Sequence, residues 1–541
     1  MTTEIKAIAP TEQQHEIARI ETKESIHKIE DASEPYVVSA FFGLTRKETV
    51  RKYWKAVIFC IFSSIAAAMD GFQTKIPGSI IANRGFINQF GTITDASGQL
   101  ALDPLIVAAW GGIFQGGVIT GNLYGGFLSD IIGRKWILAW LTFLLALGVA
   151  IECVATDWKI WAVAKVFTGM GNGLVQTQCV IYIAEVAPIT LRGALLASYA
   201  LFYQLGGLCG AIGLQVLATS AESLDFRRVV YSQWVFTGLF VLAWPFMPET
   251  AWYHARRDNH EKAKISLNKL YGKNFDAEHE CKLMSLQLQE ERQLAAAAGE
   301  TNFTEIFRGS NLRRFFISAS IPLFAQLSGN SLVNGYTSYF FQLAGMANPF
   351  LGSMIVSLIG LLGVFGAFLT SDYFGRRPLA IGAGITLSSA LFIIAIMSVI
   401  PDTTARSTVL ISFMCLWAFG YNSGISPIGP AYQGETATPR LRAKTNSLSQ
   451  ATAQSLSLIF SYCVPLMLAK WNIRAAFFFF GTCTLATVGL FFLLPEYKNR
   501  SFAELDEMFQ AKVPARKFKA YKTTAQYAAE ADEESRNRRG E

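Results

Sequence analysis

Long apolar runs dominate the sequence, each close to the roughly 20 residues that a helix needs to cross a bilayer. Twelve can be marked, at about 55–82, 105–128, 136–154, 159–183, 194–218, 231–247, 314–342, 351–371, 378–399, 407–432, 446–468 and 475–494, numbered here helices 1 to 12. Only 16% of the residues are charged, against about 25% in soluble domains. Those charges gather at the two ends, in one central stretch and in short clusters between the runs. A chain patterned in this way is expected to be an all-α polytopic membrane protein with twelve transmembrane helices, and the lipid bilayer is its first partner.

The runs divide the chain into an N-terminal tail (1–54), a first six-helix bundle (55–247), a polar central loop (248–313), a second six-helix bundle (314–494) and a C-terminal tail (495–541). A short helix is expected near 12–29, and amphipathic helices over 260–272 and 280–292 of the loop. Arg46, Lys47, Arg51, Lys52 and Lys55 cluster just before helix 1, a positive-inside signal that puts both termini and the central loop in the cytosol. The net charge of +7 is small for this length and sits beside the spans, so nucleic acid is not an expected partner. Eight cysteines are scattered, mostly inside apolar runs, and five histidines are dispersed, so no disulfide framework, metal site or cofactor is expected. The polar first 50 residues lack the apolar core of a signal peptide. No nucleophile–base pair or phosphate loop stands out, and no enzyme is expected.

Helix 1 is unusual in carrying Asp70, Gln73 and Lys75, then Pro77 and Gly78. Charge near the middle of a lipid-spanning helix costs roughly 2.5–3.5 kcal/mol per residue, so these groups should face a polar cavity. The Pro-Gly pair should loosen or kink the helix. Helix 2 holds glycines at close helical spacing, which allows near contact with another helix. Two features recur across the central loop. Asp130…Gly133-Arg134-Lys135 after helix 2 matches Asp372…Gly375-Arg376-Arg377 after helix 8, and Glu185…Arg192 after helix 4 matches Glu435…Arg442 after helix 10. Parallel halves of this kind mark a two-bundle transporter with its site at the interface. The four clusters are expected on one face, as a cytoplasmic gate that clamps in one state and releases in the other.

These residues resemble the sugar porter family of the major facilitator superfamily. The shared motifs are D-I-I-G-R-K and D-Y-F-G-R-R, Y-I-A-E-V-A-P…L-R-G, P-E-T after helix 6, Q-L-S-G-N in helix 7 and P-E-Y-K-N-R after helix 12, together spanning about 50 to 515. Finer details are similar to the fungal maltose or α-glucoside permeases: V-Q-T-Q at 175–178, F-A-Q-L-S-G-N-S-L-V-N-G-Y-T-S-Y-F-F at 324–341, L-R-A-K-T at 441–445 and the segment 503–518. The resemblance implies the major facilitator fold and plasma-membrane uptake of a hexose, α-glucoside or disaccharide, often coupled to protons.

An uncharged, hydroxyl-rich sugar calls for neutral amides and aromatic faces. Helix 7 offers Gln326, Asn330 and Asn334, four residues apart and so stacked on one helix face, with Tyr336 beyond them. The resemblance places Gln326 on a sugar-binding amide and Tyr336 on an aromatic of the outer gate. Gln73, Gln204 one turn from the family position near Ala200, and Gln450 and Gln454 on helix 11 complete the expected substrate set. Family symporters often carry G-Y-D on helix 1 with an Arg on helix 4; here the residues are Gly71-Phe72-Gln73, and the helix 4 cation is Lys165. Asp70, on the same face as Gln73, is the alternative proton carrier, balanced by Lys165 or Lys75, or else it only neutralises a lysine. The expected function is a monomeric sugar transporter working by alternating access, as a proton symporter or a passive facilitator. A non-transporting sugar sensor on the same fold is the other class. An acidic solute would call for a spare arginine in mid-span, and none is present.

Overall fold

A computed structural model of the chain describes residues 45–94, 98–219, 225–272, 274–297, 303–401, 403–438, 441–498, 500, 502–518 and 520–524. The expected helix near 12–29 and the side chain of Asp372 lie outside the described residues. In the first half, helices 1 to 6 run over Trp54–Ile80, Pro104–Ile132, Arg134–Val154, Trp158–Val186, Arg192–Thr219 and Arg227–Ala243. In the second half, helices 8, 9, 11 and 12 run over Pro349–Phe374, Arg376–Met397, Arg442–Trp471 and Ala475–Leu493. Helix 7 is built from Gly309–Leu327, a π turn Ser331–Gly335 and Thr337–Leu343. Helix 10 is built from Thr404–Gly420, a π turn Tyr421–Ile425 and Ser426–Thr436. The spans thus form two six-helix halves, and the central loop defines one face of the molecule, called here the loop side.

Local chemistry starts these helices at matching points. The Asp103 carboxylate accepts the Leu105 N–H at 2.8 Å with Pro104 in the first turn. The Asn348 amide oxygen accepts the Leu351 N–H at 3.1 Å with Pro349 in the first turn. A side-chain cap followed by proline satisfies orphan donors and presets the helical φ. Helices 2 and 8 therefore begin in the same way in the two halves.

Helix 1 differs from expectation. It stays helical through Pro77, which falls in its last turn, although a proline there has no N–H to offer the Gln73 carbonyl. Gly78 serves contact instead: a β-carbon there would overlap the Gly335 carbonyl of helix 7. The break lies in helix 7, where Gly329 adopts φ 86° and the π turn follows.

The polar connections are more structured than their composition suggests. Beyond helix 1, a helix Arg84–Phe90 is capped by Asn83 and precedes a two-residue ladder, Ile93–Thr94 with Leu100–Ala101. Its Phe86 packs edge-on against Trp110, Trp161 and Phe226, with ring centroids 5.8, 5.2 and 5.1 Å away. The central loop holds helices Ala251–Arg256, His260–Tyr271 and Ala277–Ala297, one more than expected. They bury Leu267, Phe275 and Met284 against Tyr53 at the foot of helix 1. After helix 12, helix Phe502–Gln510 docks Met508 and Phe509 onto the second half. It is tied there by Asp506 to Arg314 at 2.5 Å.

Candidate functional site

A small cavity lies between the halves, bounded by helices 1, 5, 7, 8 and 10. Its polar lining comprises Thr74, Lys75, Tyr203, Gln204, Asn334 and Ser357. Gln204 and Asn334, from opposite halves, are two of the amides expected at a substrate. Gly360 keeps room beside Gln204, because a β-carbon there would lie 3.2 Å from both the Gln204 and the Asn422 amide nitrogens. Asn422, on the π turn of helix 10, was not singled out in the sequence; an amide beside Tyr421-Asn-Ser-Gly was the signal. Just before it in the chain, Trp417 and Tyr421 stack at 5.0 Å and 8°. The Trp417 indole donates to the Ser328 carbonyl at 2.9 Å and so ties helix 10 to the break in helix 7.

The remaining expected substrate residues are distributed differently. Asn330 and Asn334 share a helix face, Asn334 donating to Asn330 at 2.7 Å, while Gly329, at φ 86°, separates Gln326 from that pair. The Gln326 amide oxygen is buried with no protein partner among the described residues. Gln454 accepts from Gln115 of helix 2 at 2.6 Å, joining the halves at mid-depth. Gln450 is exposed and donates to Gln433 at 3.3 Å. Tyr336 lies at the face opposite the loop side, where its hydroxyl donates to the Ser461 carbonyl at 3.2 Å.

Gln73 is placed elsewhere. It is 2% exposed, inside the first half rather than in the cavity. Its amide nitrogen donates to Gln233 at 2.5 Å and approaches Glu152 at 3.4 Å. Glu152 in turn pairs with Lys165 at 2.5 Å, both side chains being at most 1% exposed, and the Lys165 ammonium sits 4.8 Å from the Trp161 ring centre. The expected balance of Asp70 by Lys165 is therefore corrected: Glu152 of helix 3 holds that lysine. A lone acid in the run V-A-I-E-C-V was the available signal, since an intramembrane acid needs a partner.

Asp70 points the other way. Its carboxylate accepts from Tyr199 at 3.0 Å, Thr74 at 3.3 Å and Gln176 at 3.5 Å. Lys75 does not balance it either: the Lys75 ammonium donates to Thr337 of helix 7 at 3.0 Å. Three residues along one helix thus face separate networks, because Asp70 meets helices 4 and 5 while Gln73 meets helices 3 and 6.

On the loop side the recurring clusters form two matched sets. In the first half, Arg134 pairs with Asp130 at 3.0 Å and Glu185 at 3.2 Å. In the second, Arg376 pairs with Glu435 at 2.8 Å. Each set includes a carboxylate not singled out before. Glu249 accepts the backbone N–H of Arg134 at 2.8 Å and of Lys135 at 3.1 Å. Glu496 accepts those of Arg376 at 3.2 Å and Arg377 at 3.1 Å. Both use the anion preference of a helix N-terminus. Gly133 and Gly375, at φ 98° and 78°, leave room for these carboxylates. Burial pushes the Glu249 carboxyl above its ordinary range, against the N–H groups of Thr250, Lys135 and Arg134 and the Arg134 charge, which pull it down. Tyr182 donates to the Pro248 carbonyl at 3.0 Å, and Tyr432 to that of Pro495 at 2.6 Å. The signal was a Pro-Glu pair after each bundle. Arg192 is exposed and Arg442 half-buried. Among the described residues the loop-side ion pairs of Asp130, Arg134, Glu185, Arg376 and Glu435 stay within a half.

The face opposite the loop side is bridged. Gly78 meets Gly335 and Lys75 reaches Thr337 across the halves, and Gly111 of helix 2 packs against the Ser461 carbonyl and the Tyr336 hydroxyl, which are themselves hydrogen-bonded within the second half. The cavity is therefore closed on that face by contacts between the halves.

Comparison with known proteins agrees with this architecture. Residues 59–509 match the family model for sugar (and other) transporters. The major facilitator-type transporter ecdD of Aspergillus rugulosus is 25% identical over 480 residues, 85% of this chain and 88% of that protein. The general alpha-glucoside permease of Saccharomyces cerevisiae is 27% identical over 496 residues, 88% of this chain and 79% of that protein. The inward open structure of the xylose transporter XylE from E. coli superposes with a TM-score of 0.70 at 18% identity, covering 84% of this chain and 99% of XylE. This chain belongs to the sugar (and other) transporter family, multi-pass membrane transporters of the major facilitator fold rather than enzymes.

Proposed function

We propose that the protein takes up sugars across the plasma membrane by alternating access, together with protons, with both termini and the central loop in the cytosol. The observation that carries this reading is the cavity between the halves, in which Gln204 of one half and Asn334 of the other face the same space. A ligand held by both halves can couple its binding to their rocking. The bridged face then corresponds to the closed outer gate, and the loop-side clusters to the inner gate in its released state. In the other state the charges of Asp130, Arg134, Glu185, Arg192, Asp372, Arg376, Arg377, Glu435 and Arg442 would pair across the halves.

Asp70 is the proposed proton carrier. Its described partners are neutral hydroxyl and amide groups, so its charge depends on its own proton rather than on a fixed cation. It sits one turn from cavity residue Thr74, which hydrogen-bonds it directly. The resemblance of the chain to the alpha-glucoside permease favours neutral mono- or disaccharides as the first substrates to try.

The test is uptake of radiolabelled glucose, maltose and lactose in a yeast lacking its own hexose carriers, with and without a protonophore. Uptake that collapses with the protonophore is the expected result. Uptake that survives it means passive facilitation, and no uptake at good surface expression means a sensor.

A further inference from the structure

Among the described residues that line the cavity between the halves, Lys75 is the charged one. It is 5% exposed, and its described partner is a neutral hydroxyl, Thr337, at 3.0 Å. The acids that could neutralise it are engaged elsewhere. Asp70 lies five residues earlier, about 140° around the helix, with Tyr199, Gln176 and Thr74 on its oxygens. Glu152 is held by Lys165, Gln73 and Gln233. A buried ammonium without an anion is costly, and a carboxylate that enters beside it repays that cost. The rest of the lining offers Gln204 and Asn334 amides with Thr74, Tyr203 and Ser357 hydroxyls, a set suited to a ligand with many hydroxyl groups.

We propose that this cavity binds polyhydroxylated carboxylates, sugar acids of the aldonic or uronic class, with Lys75 as the group that receives the carboxylate. The inference rests on the transport reading above and names its substrate class. The placement gives the pairing a second role. Lys75 stands on helix 1, Thr337 on helix 7, and the Gly78–Gly335 contact lies just beyond them. A carboxylate bound at Lys75 sits directly beneath the closed face, where it touches both halves. The absence of a mid-span arginine does not argue against an acidic solute, because a lysine from helix 1 supplies the positive charge inside the cavity itself.

The experiment uses the full-length protein in the same yeast, with labelled maltose and D-gluconate as transported probes, and with maltobionate and D-galacturonate as unlabelled competitors. The wild type is expected to carry gluconate, and maltobionate should compete at least tenfold better than maltose. Lys75→Met should raise the KM for gluconate at least tenfold more than that for maltose, and Lys75→Arg should keep gluconate transport. Maltose transport with no gluconate uptake and no competition by either acid overturns the proposal, and this arm needs no variant that might fail to insert. Equal losses for both probes in Lys75→Met overturn it too, since Lys75 would then only tie helix 1 to helix 7. If neither probe moves at good surface expression, the transport reading falls, and the substrate class falls with it.

Discussion

In the first half every long helix runs unbroken, and buried charge is held between them: Glu152 with Lys165, Asp70 among hydroxyls and amides, Lys75 at the cavity. In the second half, helices 7 and 10 are each interrupted by a π turn, and among the described residues their mid-depth polar contacts are neutral, such as Asn334 to Asn330 and Trp417 to Ser328. The loop-side ends are nearly identical in the two halves, down to Glu249 and Glu496 on matching N-termini. The halves therefore share one frame and divide the labour at mid-depth. Continuous helices can hold buried ions in fixed geometry. π turns free backbone groups from the regular ladder, which suits residues that must reorient around a ligand.

The largest effect should come from the ion pair that only the first half contains. Glu152→Gln leaves Lys165 buried without its anion, an expected loss of about 3–5 kcal/mol, readable as a drop in unfolding midpoint in detergent. The double variant with Lys165→Met should recover most of it. Ser388→Ala, which removes the hydroxyl contact with Thr487 in the second half, should cost only about 1 kcal/mol. Equal losses would erase the contrast between the halves.

Gly78→Val places a branched side chain against the Gly335 carbonyl, so the outer face cannot close. An overpacking cost of about 1–3 kcal/mol translates into roughly a 5- to 150-fold loss of uptake. Labelling of a cysteine introduced near Tyr336 should rise at the same time. Asp70→Asn tests whether coupling lives in the first half. Accumulation against a gradient should fall by about fivefold or more, while exchange of labelled sugar across the membrane persists. Unchanged sugar-driven proton entry in this variant would remove Asp70 from the carrier role. The smallest effects belong to the shared cavity. Asn334→Ala and Gln204→Ala should each raise the KM about two- to tenfold, the worth of one hydrogen bond, and similar values from the two halves would show that both hold the ligand.

Much of this was legible in the residues. Apolar length marked the helices, and the recurring Asp…Gly-Arg clusters marked the two halves, because hydrophobic length and charge at helix ends act locally. The amides Gln204 and Asn334 could be named as cavity residues for the same reason: few polar residue types sit at mid-span without a purpose. Pairings could not be read. Asp70 and Gln73 share a face by spacing, yet three residues of rotation are enough for each to meet different neighbours. The interruption of helix 7 hid behind a regular four-residue spacing, since Gly329 only reveals its positive φ in the folded chain.

By itself, then, the sequence determined a two-half helical membrane protein with a polar first helix, matched loop-side clusters and amides on helix 7. It took the packed helices to show that Lys165 belongs to Glu152, that Asp70 bonds Tyr199, Thr74 and Gln176 rather than Lys165 or Lys75, and that Lys75 enters the cavity. The physical reason is that partners of buried ions come from other helices, far along the chain, and the cost of leaving such an ion unpaired is settled only when those helices pack.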